Sequence, residues 1–342
     1  DKAIVDWLKG GRKDQEGEFV TTRSWLPENV VYSSHLSPGE GEHKIFDYIR
    51  RGDYIKGEGA NIVYGLDNDL IILSVLSPMS DLFMLPENGT DPVHVDKLRE
   101  IITSEMSFPG AKKDCLLRDF SVIVMFLGND FLHKFPNIYS FVNKTVPLIF
   151  KIYKFTKLPL TDEKNNIIWK HYLRYLITLD NYDIKNGGMY VKVHLNRPKI
   201  PYPEIEKNII TKDSEGNITG EVYNKEKHTL SFNLPQFSRD WYSKQFNKDI
   251  VQWNGDLVDT YSKKLIQMMC INYLQTVQWV QYYYTCGYKF VSNLHFYHYL
   301  YNPVLSSVIV VLKSLVSEKK TNILRVPVIK SKEISVTAIH QL

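Results

Sequence analysis

Cysteine is scarce in this sequence of 342 residues, which contains only Cys115, Cys270 and Cys286. An odd number without paired spacing excludes a disulfide framework, and the histidines and cysteines also lack the spacing of zinc ligands. The longest apolar runs, near residues 122–127 and 304–312, fall well short of the roughly 20 residues of a membrane-spanning helix. No basic-then-apolar leader opens the sequence, and it contains no internal repeats or low-complexity tracts. We therefore expect a soluble intracellular protein, and we favour the cytoplasm over the nucleus.

Two carboxylates stand two residues apart, between glycines, in the segment that precedes a predicted helix over residues 45–51. They are Glu40 and Glu42, flanked by Gly39 and Gly41. Glycine permits backbone angles that other residues avoid, and the positive end of the helix would face the two acids. Taken alone, this pattern favours a solvated turn before a helix over half of a cation site, since acidic residues are common in first helical turns.

Further acids follow two apolar runs. Asp67 and Asp69 come after residues 61–64, and Asp130 comes after residues 120–127. In open α/β sheets ligands bind beyond the carboxyl ends of the strands, so acids placed there are candidates for one common site. The sequence predicts that five acids act as catalytic metal ligands: Glu40, Glu42, Asp67, Asp69 and Asp130.

Oxygen ligands of this kind suit Mg²⁺ or Mn²⁺, and five acids suffice for at least one such ion because each ion retains several waters. Lys44 and His43 adjoin the acids and are candidates for contact with a phosphate, although a lysine on a helix surface is an equally good interpretation of Lys44. Arg50 and Arg51 are interpreted as solvated.

The order of these motifs resembles one known family. The motifs are residues 38–44 (PGEGEHK), 64–70 (YGLDNDL), 119–120 (DF), 128–132 (GNDFL), Trp279 with Val280, and the tyrosine triplet 282–284. Together they resemble the Xrn-type 5′→3′ exoribonucleases, within the flap-endonuclease-like metal-dependent nucleases, over residues from about 25 to about 308. The resemblance implies hydrolysis of single-stranded RNA with a 5′-monophosphate by a two-metal-ion mechanism, with Lys44, His43 and Trp279 in contact with RNA.

The sequence departs from the family at two places. Family members carry a long section ahead of the Pro-Gly-Glu-Gly-Glu segment, which supplies two more metal-binding aspartates and a Lys/Arg pocket for the 5′-phosphate. Here 38 residues precede Gly39, and residues 1–19 do not match. We therefore expect an upstream segment or a separate chain to complete the active site. In residues 292–303 two family tryptophans are replaced by Asn293 and His295.

The predicted fold is α/β, with a mostly parallel sheet flanked by helices in a flap-nuclease or PIN-like core, followed by a mainly α-helical C-terminal region. Strands at 29–33 and 61–64, joined by the helix over 45–51, would form a βαβ unit. A further strand is predicted at 81–85, and further helices at 69–76, 95–105, 116–127, 144–155, 166–178, 235–246, 262–284 and 303–315. We predict a nuclease core over residues 1–155, a connector with a helix and a hairpin or irregular segment over 156–230, and a helical region over 231–342.

Two other functions compete with the exoribonuclease: a flap-type structure-specific or DNA nuclease, and a non-catalytic RNA-binding or scaffold module. A scaffold has no physical need for five acids that repel one another without a cation. The formal net charge is +4, so a site with five acids leaves the rest of the chain at +9, which suits a polyanionic substrate. The exoribonuclease is favoured over the flap enzyme because the resemblance includes Trp279 and the tyrosine triplet.

Overall fold

The structure, a computed structural model, describes most of the chain apart from its ends and several connections. The described residues are 30–37, 39–54, 59–65, 67–86, 91–135, 142–185, 214–215, 234–247, 260–291 and 295–328, together with short strands elsewhere. The predicted strand position at residue 29, most of the predicted connector after residue 185, and Asn293 lie outside them.

Helices make up most of the described structure. In chain order they are α1 (Gly41–Arg50), α2 (Asp69–Leu76), α3 (Val95–Met106), α4 (Lys113–Val124), α5 (Val142–Thr156), α6 (Trp169–Lys185), α7 (Leu234–Phe246), α8 (Thr260–Cys286) and α9 (Leu305–Ser317). Short 3-10 turns follow α4 at Met125–Leu127 and α9 at Thr321–Leu324. Every predicted helix is present, with ends that differ from the predicted ones by a few residues.

The strands are short. They are β1 (Arg12–Lys13), β2 (Phe19–Val20), β3 (Asn61–Tyr64), β4 (Leu82–Leu85), β5 (Val93–His94), β6 (Thr211–Lys212), β7 (Ile218–Thr219), β8 (Tyr223–Asn224) and β9 (Thr229–Leu230). The first two form an antiparallel pair, and β6 to β9 form two more, which agrees with the hairpin predicted in the connector.

The central sheet has three strands in the order β3-β4-β5, with β3 and β4 parallel and β4 and β5 antiparallel. The α/β class is therefore confirmed, but among the described residues the sheet is small and mixed instead of mostly parallel. The βαβ unit lies two elements later than predicted, because it consists of β3, α2 and β4 and begins at the strand that was predicted to end it. Residues 30–34 form no strand, and Val31 is 71% exposed, so their β-branched composition was a misleading signal.

Helix α4 is apolar on nearly all sides because it lies inside the protein, as its length and composition predicted. Its buried Asp119 is held by three short bonds from other segments: the Tyr153 hydroxyl at 2.6 Å, the Thr161 hydroxyl at 2.6 Å and the Leu160 amide at 2.7 Å. Burial raises the pKa of Asp119 against these bonds. This family-motif acid therefore ties α4 to α5 and to the chain after it.

The 27-residue helix α8 packs against α2, α4 and α9, and α9 packs against α6. One hydrophobic core runs through all of these helices, from Phe46 to Val326. The three-part domain division stays a prediction, and the shared core shows that its first and last parts contact each other extensively. Among the described residues, every helix is too short or too polar to cross a bilayer.

Candidate metal centre

Glu40 and Glu42 lie at the N-terminal end of α1. Glu40 precedes the first helical residue with an extended backbone, and its side chain does not cap its own helix. Gly39 adopts φ +101°, and a Cβ atom at this position would lie 3.0 Å from the ring of Tyr288. Glycine is therefore required at 39 by both conformation and contact, whereas nothing lies within 4 Å of a Cβ built on Gly41. The turn at Gly39 leaves the Glu40 carboxylate available to another element.

Asp67 and Asp69 lie between the end of β3 and the first turn of α2. The Asp67 carboxylate accepts the Asp69 amide at 3.0 Å, and its carbonyl accepts the Leu70 amide, so Asp67 stabilises the turn that leads into α2, whose N-cap residue is Asn68. Asp67 is exposed, whereas Asp69 is only 7% exposed. The sheet and the helix thus place one acid at the surface and the next one inside.

Asp130 is exposed in the turn that follows α4 and its 3-10 extension. Gly128 makes the turn with φ +85°, and the Asn129 side chain accepts the amides of Phe131 and Leu132 at 2.9 and 2.8 Å. Asp130 follows a helical element and not a strand. The expectation that the acids lie beyond the ends of strands is therefore met by Asp67 and Asp69 but not by Asp130.

Electrostatic interactions show that the five predicted acids lie close together. The pKa of Asp69 is raised to about 6, mainly by burial. The hydrogen bond from Tyr284 lowers this pKa, and the charges of Asp67, Asp130 and Glu42 contribute to the rise. The pKa of Glu40 is likewise raised to about 7, mainly by burial, while the hydrogen bond from Tyr283 lowers it. A charge interaction and a hydrogen bond with Glu42 contribute to the rise, as does the charge of Asp69. Water screens part of the effect at Glu40, because 44% of its side chain is exposed. Three chain segments therefore bring mutually repelling carboxylates into one region.

Two consecutive tyrosines near the C-terminal end of α8 donate hydrogen bonds to these acids. The hydroxyl of Tyr283 lies 3.1 Å from Oε2 of Glu40, and that of Tyr284 lies 2.7 Å from Oδ2 of Asp69. Both tyrosines are buried, at 6% and 0% exposure. The preceding Tyr282 donates instead to the side chain of Asn166. The tyrosine triplet was noticed in the sequence as a motif, but its spacing alone did not indicate these partners.

His43 is placed differently from its predicted role in RNA contact. Its ring is completely buried, with its centroid 3.9 Å from that of Tyr283, and neither ring nitrogen has a hydrogen-bond partner among the described residues. Burial and the nearby Arg50 lower the pKa of His43 to about 3, so it is neutral near pH 7. The ring fills space beneath Glu40 and presents no surface to a polyanion.

The other predicted RNA contacts and the neighbouring arginines also have protein partners. Lys44 is half-buried and donates to the Ser34 carbonyl at 3.0 Å, while Trp279 is 6% exposed and stacks on Tyr283 with centroids 4.9 Å apart. Arg50, predicted to be solvated, is half-buried and donates to the Tyr284 carbonyl at 3.4 Å. Arg51 is exposed as predicted and pairs with Asp47 and Asp53.

The donor set fits a hard divalent cation. One oxygen each of Glu40 and Glu42 and one ring nitrogen of His43 lie within 4.8 Å of one another, and the remaining predicted ligands are also carboxylates. Carboxylate oxygens suit Mg²⁺ and Mn²⁺, and a cation would relieve the repulsion that contributes to the raised pKa values of Glu40 and Asp69. Chemically, the arrangement offers several carboxylate oxygens to one hard cation.

Comparison with known proteins agrees with this class. A family model described as the XRN 5′-3′ exonuclease N-terminus matches residues 12–88, which contain four of the five acids. The match begins at residue 12, so the expectation that residues 1–19 lie outside the family pattern was wrong for residues 12–19. Human 5′-3′ exoribonuclease 1 is 25% identical over 357 aligned positions, covering 85% of this chain and 20% of that protein. The enzyme of the same name from Schizosaccharomyces pombe is 33% identical over 159 positions, covering 38% of this chain and 12% of that protein. Arabidopsis thaliana 5′-3′ exoribonuclease 2 is 30% identical over 181 positions, covering 38% and 18%.

These matches support the assignment of the chain to an Xrn-type family. It spans a fifth or less of the length of these three curated relatives.

Proposed function

We propose that this chain forms part of a 5′→3′ exoribonuclease that hydrolyses single-stranded RNA carrying a 5′-monophosphate. The observation that carries the proposal is the convergence of five carboxylates from three segments, in a chain whose relatives are named 5′-3′ exoribonucleases. Without a cation this convergence would destabilise the fold, which argues against a purely structural purpose.

The proposed ligands are Glu40, Glu42, Asp67, Asp69 and Asp130, and the proposed cofactor is Mg²⁺ or Mn²⁺, with two ions at the site. When bound, the metal supplies positive charge for the phosphate and lowers the pKa of a water molecule that attacks it. The acids must be ionised to bind metal, so binding would displace protons from Glu40 and Asp69. Exposed Asp67 and Asp130 would hold the metal on the side that faces solvent, from which the phosphate approaches, whereas buried Asp69 would hold it on the inner side of the site.

We further propose that additional polypeptide completes both the central sheet and the set of metal ligands. The completed sheet would be the parallel sheet of the flap-nuclease or PIN-like core that the family resemblance implies. Two observations support this proposal. Ile62 and Tyr64 on β3 are 63% and 62% exposed, and β3 lies at one edge of the three described central strands. Strands of parallel sheets are normally covered on both faces, so these side chains fit a further layer of protein. The basic pocket that selects a monophosphate end would come from the same polypeptide.

The test compares degradation of RNA with a 5′-monophosphate and with a 5′-triphosphate, in Mg²⁺, in Mn²⁺ and in excess chelator. It uses this chain alone and the longest gene product that contains it. The longer product should prefer the monophosphate and should be inert in chelator, while this chain alone should bind RNA weakly and show little end selectivity. Undiminished cleavage in chelator would refute the metal mechanism, and a clear monophosphate preference of this chain alone would refute the need for more polypeptide.

Substitution locates the site. Asp67→Ala and Asp69→Ala in the longer product should abolish turnover and leave RNA binding in place, because the basic surface supplies most of the affinity. Asp91→Ala serves as the control, since Asp91 is exposed and lies outside the five acids. Cleavage of DNA flaps in preference to RNA would favour the flap-nuclease alternative.

A further inference from the structure

The C-terminal end of α8 contacts all three segments that carry the predicted ligands. Tyr283 donates to Glu40 before α1, and Tyr284 donates to Asp69 at the start of α2. Next to Asp130, the ring of Phe131 packs edge-on against Tyr283 and Trp279, with centroids 5.1 and 4.9 Å apart. One helix therefore fixes the relative positions of segments that are far apart in sequence.

Helical geometry explains how neighbouring residues reach different acids. Successive side chains on a helix are separated by about 100° of rotation, so Tyr283 and Tyr284 point to two different elements. Trp279 lies four residues before Tyr283 on the same face, and its stacked ring limits the orientations open to Tyr283. On its other side the Tyr283 ring contacts the buried ring of His43. The hydroxyl that reaches Glu40 is thus held by packing on both faces of its ring.

Each phenol occupies one oxygen of a carboxylate and leaves the other oxygen for a cation. Such hydrogen bonds to metal ligands fix the orientation of the ligand, and their loss typically reduces metal affinity or activity 10- to 100-fold. The Tyr284 bond is the shorter of the two and lies in a fully buried position. Loss of this hydroxyl would leave the inner oxygen of Asp69 without its donor.

We infer that Tyr283 and Tyr284 are positioning residues that set the orientation of Glu40 and Asp69 for a divalent cation. This inference rests on the proposed function, because it assumes that the two acids bind metal. Neither tyrosine needs to touch RNA or the cation for the effect.

The experiment measures Mn²⁺ binding to the longest gene product that contains this chain, by isothermal titration calorimetry and by the electron paramagnetic resonance signal of free Mn²⁺. Tyr283→Phe and Tyr284→Phe are compared with wild type and with Tyr282→Phe. The last variant is a matched control, because Tyr282 is an adjacent buried tyrosine whose hydroxyl bonds Asn166 and not an acid. We expect at least about tenfold weaker Mn²⁺ binding for Tyr284→Phe, a smaller loss for Tyr283→Phe, and less than a twofold change for Tyr282→Phe.

Melting curves in chelator separate positioning from general damage. A purely structural role would lower the melting temperature of Tyr284→Phe without metal and leave the Mn²⁺ affinity of the folded protein unchanged, and that result would overturn the inference. An equal loss of affinity in Tyr282→Phe would overturn it too. If Tyr284→Phe does not fold, the Mn²⁺ affinity of Tyr283→Phe, whose bond is longer and whose acid is more exposed, decides the matter by the same criteria.

Failure of the proposed function gives a different result. If wild type itself binds no Mn²⁺ at millimolar concentration, the metal centre is refuted and the inference fails with it. If wild type binds Mn²⁺ and both phenylalanine variants bind it equally well, the metal centre stands and only the inference about the tyrosines is overturned.

Discussion

Replacement of Arg99 should cause the largest loss of stability of any substitution outside the apolar core, because this arginine anchors the helix that carries Asp69. Arg99 lies on α3, is 7% exposed, and reaches the segment at the C-terminal end of α2. Its guanidinium donates to the carbonyls of Val75 (3.0 Å), Met79 (3.0 Å), Ser74 (2.7 Å) and Ser77 (2.6 Å), and to the Asp96 carboxylate (2.6 Å). The positive charge also sits at the negative end of the α2 dipole.

The magnitude follows from these bonds. Each contributes about 1 kcal/mol net, and a buried carbonyl that loses its donor typically costs about 1–3 kcal/mol. Arg99→Met retains most of the aliphatic stem and removes all five bonds, while the lost desolvation of the guanidinium offsets part of the change. We therefore expect the free energy of unfolding to fall by about 3–5 kcal/mol. Arg99→Lys should recover little of this, since a single ammonium cannot reach carbonyls contacted by three different nitrogens.

Urea unfolding followed by circular dichroism measures the change, with Arg51→Met as the control. Arg51 is 52% exposed, its partner Asp53 is exposed, and its buried partner Asp47 also pairs with Lys289, so replacement of Arg51 should change the free energy of unfolding by less than about 1 kcal/mol. A difference between Arg99→Met and Arg51→Met of less than about 1 kcal/mol would show that the buried bonds contribute little, and the reasoning would fail.

Three further predictions concern the carboxylates and the histidine beneath them. Millimolar Mg²⁺ should raise the melting temperature of wild type, because the cation binds the folded state alone, and a melting curve that ignores Mg²⁺ would count against a converged site. Asp69→Asn should stabilise the metal-free protein near neutral pH. Because the pKa of Asp69 is raised to about 6, the metal-free wild type gains protons on folding, and its free energy of unfolding falls as pH rises from about 4 to 6. Urea titrations across that range should show a flatter pH profile for the variant. His43, with a pKa near 3, contributes in the opposite direction: its contribution is complete above pH 6.5 and is lost as pH falls toward 3, so the stability of His43→Leu relative to wild type should improve on acidification.

Apolar periodicity and acid spacing predicted the parts of the fold that depend on local sequence. The helices and the strand at Asn61–Tyr64 followed from residues close to one another in the chain, whereas the grouping of the acids joins segments that are far apart in it. The failure at residues 30–34 has a tertiary cause: a β-branched segment becomes a strand only when another strand pairs with it, and no described strand pairs there.

The unpredicted parts of the site come from long-range partners. Nothing in the sequence distinguishes Tyr284, which bonds Asp69, from Tyr282, which bonds Asn166, because both lie in one run of three tyrosines. His43 was predicted to contact RNA because it adjoins the acids in sequence, but its ring is buried. The contact of Arg50 with the end of α8 depends on the fold and could not be predicted from its neighbours in sequence. These partners can be assigned only when the position of α8 against the rest of the protein is known.

The bond from Tyr283 to Glu40 spans 243 positions of the chain, and that from Tyr284 to Asp69 spans 215. At about 5–20 residues per second, a ribosome needs roughly 10 to 50 seconds to synthesise the chain between these partners. For that time the nascent acids lack the helix that holds them, so we expect α1 and α2 to emerge with loosely arranged carboxylates. Ordering of the centre would then accompany the docking of α8, late in translation.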